Sequence, residues 1–267
     1  MSTLVGICGD LHGFHKREAL AQFISETGVE LLLAVGDLQD YRPFPIPTYF
    51  IRGNHESWPV LEEMARGLRT PANLHYLTDG TSLTIEGHSI VGIGGNWSPT
   101  DRVRPRHIPH AYLAKMTRTA PDIVLSHETP LLYANRPELC CEPLREALTQ
   151  MRPRLWFSGH HHYFATETLG RTEIVSLGKY PDEWVTVRLE RRQIGPALRH
   201  VPADRLAYAA AKARWRALES REKDLLLPLD RENGGGAIYG VTDVENPHAQ
   251  AWFGRSWRPG RPELGPR

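Results

Sequence analysis

The chain has 267 residues, of which 40% are hydrophobic and 24% are charged, and its formal net charge is +1. This composition is that of a folded globular protein, and it excludes collagen-like, coiled-coil and wholly disordered chains. No apolar run approaches the roughly 20 residues that a membrane-spanning helix requires, so no membrane contact is expected. The chain starts without a secretory signal pattern, and its three cysteines are too few for a disulfide framework. We therefore expect a cytoplasmic protein with free thiols.

Short apolar runs recur through the first 190 residues, and each run ends in polar or glycine residues. Runs of this length predict buried central strands, here at 4–8, 31–35, 48–51, 90–93, 123–125 and 155–157. Helical patterns lie between them at 16–27, 59–68 and 143–151. Because strands and helices alternate, we expect an α/β fold in which helices cover the sheets. Three later strands, at 164–169, 173–177 and 184–189, have no helix between them and predict an antiparallel meander.

The C-terminal quarter differs from the rest of the chain. Residues 191–267 carry 14 basic and 9 acidic side chains, whereas residues 1–190 carry 18 basic and 22 acidic ones. The pattern predicts a helix at 203–227, followed at 247–267 by a basic, irregular tail rich in Pro, Gly and Arg. We therefore expect one domain at 1–200 and an extension at 201–267. The tail's Trp and Arg residues would bind single-stranded nucleic acid, dock on the body of the protein or contact another subunit.

Polar residues follow the predicted strands at the points where the strands end. In open α/β sheets these carboxyl ends are the place where ligands bind. Each residue alone is weak evidence, but together they form a set rich in carboxylate and imidazole: Asp10, His12, Asp37, Asp40, Asn54, His55, His127, His160 and His162.

This set predicts a metal centre. Imidazole and carboxylate suit Mn, Fe, Zn, Co and Ni, and the absence of cysteine from the set argues against a structural zinc site. The set contains more candidate ligands than one ion binds. We therefore expect two divalent ions that share a bridging carboxylate, and manganese is the favoured metal. Two such ions polarise a phosphoryl oxygen and activate water for attack on phosphorus.

The motif series resembles that of the metallophosphoesterase superfamily, also called calcineurin-like phosphoesterases, over roughly residues 4–190. The resemblance implies a four-layer αββα sandwich of mixed sheets. It also implies that His55 protonates the leaving group and that Asp40 orients His55, although a turn carboxylate is an equal reading of Asp40. The implied ligands of one ion are Asp10, His12, Asp37 and His162, and those of the other are Asp37, Asn54, His127 and His160.

Further residues near these motifs are candidates for contact with substrate. Arg52 is predicted to contact phosphate or, equally, to form a salt bridge at the surface. His161 is predicted to support the site or face substrate rather than to bind metal. Arg104 lies in the basic loop 96–110, which would clamp extra phosphates or simply be a solvated surface loop. Glu56 is expected to cap the helix that follows it.

The substrate class follows from local similarities. Residues 52–56, Arg-Gly-Asn-His-Glu, resemble a motif of serine/threonine protein phosphatases. Residues 73–77, 93–95, 125–130 and 156–160 are similar to RNA lariat debranching enzymes, which hydrolyse 2′,5′-phosphodiesters, although Asp10 stands where those enzymes carry cysteine. We therefore expect a phosphodiesterase that acts on a nucleotide or single-stranded nucleic acid. The alternatives are a phosphomonoesterase or protein phosphatase, and a non-catalytic scaffold with the same fold. The oligomeric state is left open.

Overall fold

The computed structural model describes residues 2–13, 17–100 and 104–201, together with the isolated positions 213 and 217. The helices of this part are α1 Arg17–Thr27, α2 Trp58–Ala65, α3 His110–Met116 and α4 Glu142–Met151. The strands are β1 Ser2–Cys8, β2 Leu31–Ala34, β3 Thr48–Phe50, β4 Leu74–Tyr76, β5 Ser82–Ile85, β6 His88–Ile93, β7 Ile123–Ser126, β8 Leu155–Ser158, β9 Ala165–Leu169, β10 Thr172–Ser176, β11 Trp184–Glu190, β12 Gln193–Ile194 and β13 Leu198–His200.

The strands form two mixed sheets. The first has the order β12-β11-β1-β2-β3-β4, and β13 also pairs with β11. Strands β1 to β4 are parallel, whereas β11 runs antiparallel to β1. The second sheet has the order β5-β6-β7-β8-β10-β9, with parallel β6, β7, β8 and β10 between antiparallel edge strands. The predicted α/β class with mixed sheets is therefore confirmed.

The two sheets pack face to face, and helices cover their outer faces. Alternate residues of each strand point to opposite faces of a sheet, so β1 and β2 send Val5, Ile7 and Leu33 into the same buried cluster that receives Leu125 and Phe157 from the second sheet. A second cluster joins the other face of the second sheet to α3 and α4. On the first sheet, α1 packs so closely over β1 that a Cβ at Gly6 would lie 3.1 Å from the Phe23 ring. The predicted αββα layering is confirmed.

The predicted meander at 164–189 is wrong. Strands β9 and β10 do pair antiparallel, but β11 leaves the second sheet and pairs with β1 in the first, with Ser2 opposite Glu190. The sequence pattern of β11 is that of any buried strand, and only the distant β1 determines which sheet it joins. Strands β4, β5, β12 and β13 and helix α3 were not predicted from the sequence, because they are short and mostly half-exposed.

Two further expectations concern the cysteines and the membrane. All three cysteines are free, as predicted. Burial raises the pKa of both Cys8 and Cys141 to about 12, so these thiols stay protonated. Within the described ranges, no helix is both long and apolar enough to cross a bilayer. The predicted helix at 203–227 and tail at 247–267 lie outside the described residues, apart from positions 213 and 217. The division into domains at residue 200 stays a prediction.

Candidate metal centre

Five loops meet at the carboxyl ends of parallel strands from both sheets. In the first sheet, the loop after β1 binds the loop after β2, since the backbone N–H of His12 donates to the carbonyl of Asp37 at 2.9 Å. The two sheets are joined by His127, after β7, whose Nδ1 lies 2.9 Å from the carbonyl oxygen of Val35, at the end of β2. The loops after β3 and β8 complete the edge. The predicted site residues are thereby brought together at one place, as the strand-end pattern indicates.

Glycines allow the loops to approach one another this closely. A Cβ at Gly53 would lie 2.0 Å from Asp37 Oδ1 and 2.4 Å from the Asp37 backbone nitrogen. A Cβ at Gly159 would lie 2.6 Å from Asp10 Oδ2. Any side chain at these two positions would collide with a buried carboxylate, so both glycines are required by the site rather than by the turns alone.

The backbone of the site is strained. Left-handed φ angles are unfavourable for residues with a Cβ, so the surrounding structure must hold such a residue in this conformation. Residues strained in this way are concentrated at functional sites. Five of the predicted metal ligands have positive φ angles: Asp10 at 54°, His12 at 50°, Asp37 at 50°, His160 at 68° and His162 at 59°.

One group of possible metal ligands consists of Asp10, His12 and His162. The two imidazole Nε2 atoms face each other at 3.3 Å, and Asp10 Oδ1 lies 3.4 Å from His162 Nε2 and 3.9 Å from His12 Nε2. Two nitrogens and one oxygen therefore converge on a single point. This donor set fits a borderline divalent ion.

A second group consists of Asp10, Asp37 and His127, all of them buried. Asp37 Oδ2 lies 3.6 Å from His127 Nε2 and 3.8 Å from His12 Nε2, so the same oxygen is close to a histidine of each group. The amide oxygen of Asn54 lies 2.8 Å from His127 Nε2. Asp37 and Asn54 therefore both lie beside His127, and their role as ligands stays a prediction.

The charges of the two groups compensate one another. Burial alone would raise the pKa of Asp10, but the hydrogen bond from His162 and the charges of His127 and His12 outweigh it and lower that pKa. Burial would lower the pKa of His127, but the carboxylates of Asp37 and Asp10 outweigh it and raise that pKa. For Asp37, burial prevails and its pKa is raised. His127 thus supplies positive charge beside the two buried carboxylates, and a divalent cation would take that role.

A third group, which includes a residue not predicted from the sequence, is formed by Glu128, His160 and His161. The His160 ring lies 4.9 Å from the His127 ring, measured between centroids, and its Nε2 is 3.8 Å from Glu128 Oε2. His161 Nε2 is closer to the same carboxylate, at 2.9 Å. A carboxylate that faces one nitrogen of an imidazole orients the ring and leaves the other nitrogen for a metal. The sequence signals for Glu128 are its place directly after His127 and its position within the segment 125–130 that resembles lariat debranching enzymes.

His55 lies exposed beside the first group. Its ring is 6.1 Å from that of His12, and its backbone N–H donates to Asp37 Oδ1 at 2.8 Å. Partial desolvation, helped by the nearby charge of His127, lowers its pKa. The buried carboxylate of Asp40 accepts hydrogen bonds from both Nε and Nη2 of Arg42 at 3.0 Å. An effect of Asp40 on His55 stays a prediction.

The expected capping role of Glu56 is wrong. Helix α2 begins after Ser57, whereas the buried Glu56 carboxylate accepts hydrogen bonds from the backbone N–H groups of Leu38 and Gly53, both at 3.1 Å, and from the hydroxyl of Tyr41. Burial raises the pKa of Glu56. This residue therefore ties together the two loops that carry Asp37 and His55.

The predicted substrate contacts have different surroundings. The Arg52 side chain is almost buried and forms an ion pair with Asp79 at 2.6 Å. It also donates to the carbonyls of Pro105 and His107, at 2.6 and 3.0 Å, and in this way it holds the loop after β6 in place. Arg104 is exposed on that loop, where residues 101–103 lie outside the described part. For Arg52, Arg104 and His161, contact with substrate stays a prediction.

Comparison with known proteins finds a family model and relatives with known names. The family model described as calcineurin-like phosphoesterase matches residues 3–164. The lariat debranching enzyme of Entamoeba histolytica is 26% identical over 243 residues, which cover 66% of this chain and 68% of the relative. The human lariat debranching enzyme is 26% identical over 225 residues, and that of Drosophila pseudoobscura is 25% identical over 218. The chain spans only 41% of the length of each of these two relatives.

Solved structures share the fold. The protein TT1561 of Thermus thermophilus matches with a TM-score of 0.54 and 17% identity, over 75% of this chain and 99% of that chain. Another crystal structure matches with a TM-score of 0.59 and 14% identity, again over 75% of this chain and 99% of that one. At such identities the likeness extends to the architecture alone.

Proposed function

Because this chain belongs to the calcineurin-like phosphoesterase family, and is therefore a hydrolase of phosphate esters, we propose that it is a phosphodiesterase with a dinuclear metal centre. The observation that supports two ions is the position of Asp37. One of its oxygens lies within 3.8 Å of a histidine nitrogen in each of two ligand groups. A carboxylate so placed is suited to bridge two cations.

The proposed ligands follow from the two groups. One ion would be held by Asp10, His12, Asp37 and His162, and the other by Asp37, Asn54, His127 and His160. When bound, two such ions polarise a phosphoryl oxygen and lower the pKa of water, which makes it a nucleophile near neutral pH. Manganese is our first candidate, because nitrogen and oxygen ligands without sulfur suit it.

Residues of the chain itself would position the ester and supply a proton to its departing oxygen. His55 is exposed beside the centre, and the hydrogen bond from its backbone N–H to Asp37 fixes its position relative to the ligands. We assign it the transfer of a proton to the departing oxygen. Glu56 holds together the loops of Asp37 and His55, and Glu128 holds His161, the neighbour of His160, at 2.9 Å.

A nucleotide or nucleic acid is the substrate class that the relatives favour. Curated relatives that match this chain are named lariat debranching enzymes, and a phosphodiester within RNA or a nucleotide is the corresponding substrate. Exposed Arg104 would contact a neighbouring phosphate and His161 would face substrate. Arg52 would hold the loop that carries Arg104, because Asp79 and two loop carbonyls take its guanidinium. The enzyme would act in the cytoplasm through the domain at 1–200.

The test uses metal-stripped protein to which Mn²⁺ is added back. We expect hydrolysis of bis-p-nitrophenyl phosphate to exceed that of p-nitrophenyl phosphate, and both to stop with EDTA. A preference for the monoester would replace the proposal by a phosphomonoesterase or protein phosphatase. If neither ester is hydrolysed with Mn²⁺, Co²⁺ or Zn²⁺, the chain is not an active enzyme and the proposal fails.

Single variants separate the roles at the centre. His55→Ala should retain both ions and lose about 10²–10⁴-fold in rate, as expected for a lost general acid. His75→Ala, at another exposed histidine, is the matched control and should retain the full rate. Asp37→Ala should lose ions as well as rate. Metal analysis that finds two ions per chain in Asp37→Ala would remove Asp37 from the bridging position.

A further inference from the structure

An exposed tyrosine directly follows the last predicted metal ligand. Tyr163 comes next after His162, and 53% of its surface is accessible. A single exposed aromatic residue is ordinary on a protein surface. The position of Tyr163 is unusual because it directly follows His162, which lies in one of the groups of possible metal ligands.

The neighbours of Tyr163 extend the aromatic surface. The guanidinium carbon of Arg136 lies 6.0 Å from the centroid of the Tyr163 ring. The Tyr133 ring lies 6.5 Å from that of Tyr163 at 71°, and 6.4 Å from that of His161 at 83°. Tyr133 is buried, and its hydroxyl bonds to Ser176 Oγ at 2.5 Å, so it is a fixed support. A continuous series of rings therefore runs from the histidines of the centre to an exposed face.

Both elements of this surface lie at the edge of the metal centre. Arg136 belongs to the loop after β7, which also carries His127, and Tyr163 belongs to the loop after β8, which carries His160 and His162. The surface therefore borders two of the loops that carry the candidate ligands. The two side chains are named below as the stacking surface, Arg136 and Tyr163.

The charges of the stacking surface indicate which part of a substrate it fits. Arg136 forms an ion pair with Glu138 at 2.5 Å, and both side chains are about half exposed. Because Glu138 neutralises the arginine, the surface offers little net charge to a bare phosphate. It offers the face of a tyrosine and a planar guanidinium, on which an uncharged, planar ring stacks.

We propose that the stacking surface binds a nucleobase of the substrate, on a nucleoside joined to the scissile phosphate. This inference rests on the proposed phosphodiesterase function and specifies its substrate class. Since every base has a π face, the surface would select for the presence of a base and discriminate weakly between bases.

The test compares two substrates that differ only in their bases. One is a dinucleoside phosphate with two uracils, and the other is the same compound without bases. The measured quantity is the ratio of kcat/KM for the first compound to that for the second. Tyr163→Ala should lower this ratio by about 5- to 150-fold, the range that stacking of one base commonly supplies. Tyr163→Phe keeps a ring and should keep the ratio.

A control and a binding measurement complete the design. Leu132→Ala changes another exposed side chain of the loop after β7 and should leave the ratio unchanged. A dinucleotide that contains 2-aminopurine should lose fluorescence on binding to Mn²⁺-loaded His55→Ala protein, and not to the His55→Ala, Tyr163→Ala double variant. Circular dichroism verifies that each variant is folded.

The outcomes distinguish this inference from the function on which it rests. If the wild-type chain hydrolyses both compounds and Tyr163→Ala leaves the ratio within twofold, the stacking surface does not bind a base, while the phosphodiesterase proposal stands. A ratio that falls equally in Tyr163→Phe would assign the effect to the hydroxyl and overturn stacking. If the wild-type chain hydrolyses neither these compounds nor the nitrophenyl esters, the proposed function itself fails.

Discussion

Gly53→Ala is the substitution that tests the geometry of the metal centre most directly. The added Cβ would lie 2.0 Å from Asp37 Oδ1, 2.4 Å from the Asp37 backbone nitrogen and 2.7 Å from its Cγ. Non-bonded carbon atoms essentially never come closer than about 3.0 Å to another heavy atom, so the two loops must separate by about 1 Å. The Gly53 N–H donates a hydrogen bond to Glu56 Oε1, which holds Gly53 in place. The Asp37 carboxylate therefore has to move.

The expected effect of Gly53→Ala is on metal binding and rate. A misplacement of about 1 Å at a reacting centre costs on the order of 10²-fold in rate. Because Asp37 is the proposed ligand of both ions, Mn²⁺ affinity should fall by at least about 10-fold. The assay titrates phosphodiester hydrolysis with Mn²⁺ and measures bound metal after desalting.

The matched control for Gly53→Ala is Gly170→Ala. Gly170 lies between β9 and β10 with a φ of +62°, and its added Cβ would meet nothing within 4 Å. The left-handed backbone should cost this variant about 1–2 kcal/mol in the free energy of unfolding, with the rate unchanged. If Gly53→Ala binds Mn²⁺ and hydrolyses the diester within threefold of wild type, the close packing of Gly53 on Asp37 does not hold and the reasoning is refuted.

Three further predictions concern stability. Arg52→Met should lower the free energy of unfolding by about 2–3 kcal/mol, measured by urea titration, because Asp79 and two loop carbonyls lose the guanidinium that donates to them. An unchanged urea midpoint would contradict this prediction. Glu167→Gln tests the ion pair with Arg145, whose hydrogen bonds lower the pKa of Glu167. The pKa of Glu167 is lower in the folded state than in the unfolded state, so wild type should be more stable than Glu167→Gln by up to about 1 kcal/mol at pH 7. This difference in stability should vanish as the pH falls through the lowered pKa. A difference that persists at pH 2 would contradict a stabilising ion pair. Leu125→Ala, in the core between the sheets, should cost about 2–5 kcal/mol by differential scanning calorimetry and denaturant titration, and a cost below 1 kcal/mol would place Leu125 outside the core.

Local pattern was enough to predict the central strands and the residues at their ends. Strands β1, β2, β7 and β8 are continuous apolar runs because they are buried on both faces, and such runs are visible in any single sequence. Parallel strands put their carboxyl ends at one edge, so a polar residue directly after each run is placed by topology. This is why Asp10, Asp37 and His127 were predicted as neighbours although more than 100 residues separate the first from the last.

Contacts between distant segments decided the rest. The partner of β11 is β1, and nothing within β11 itself selects that strand over β10. Glu56 follows a motif residue and precedes a helix, which is the pattern of a cap, yet its carboxylate is taken by backbone N–H groups 3 and 18 residues away.

The same holds for the side chains around the centre. Arg52 has the sequence context of a phosphate ligand, and only the tertiary structure shows it bound to Asp79 and to the loop after β6. Glu128 lies in a segment that resembles a known family and Tyr163 follows a motif histidine, but the contacts of both become visible only in the tertiary structure. Periodicity and strand ends are properties of neighbouring residues along the chain, so the sequence by itself determined the central strands and the candidate ligands. Hydrogen-bond partners and ring contacts depend on which loops meet in space, and the packing of the two sheets determines which loops meet.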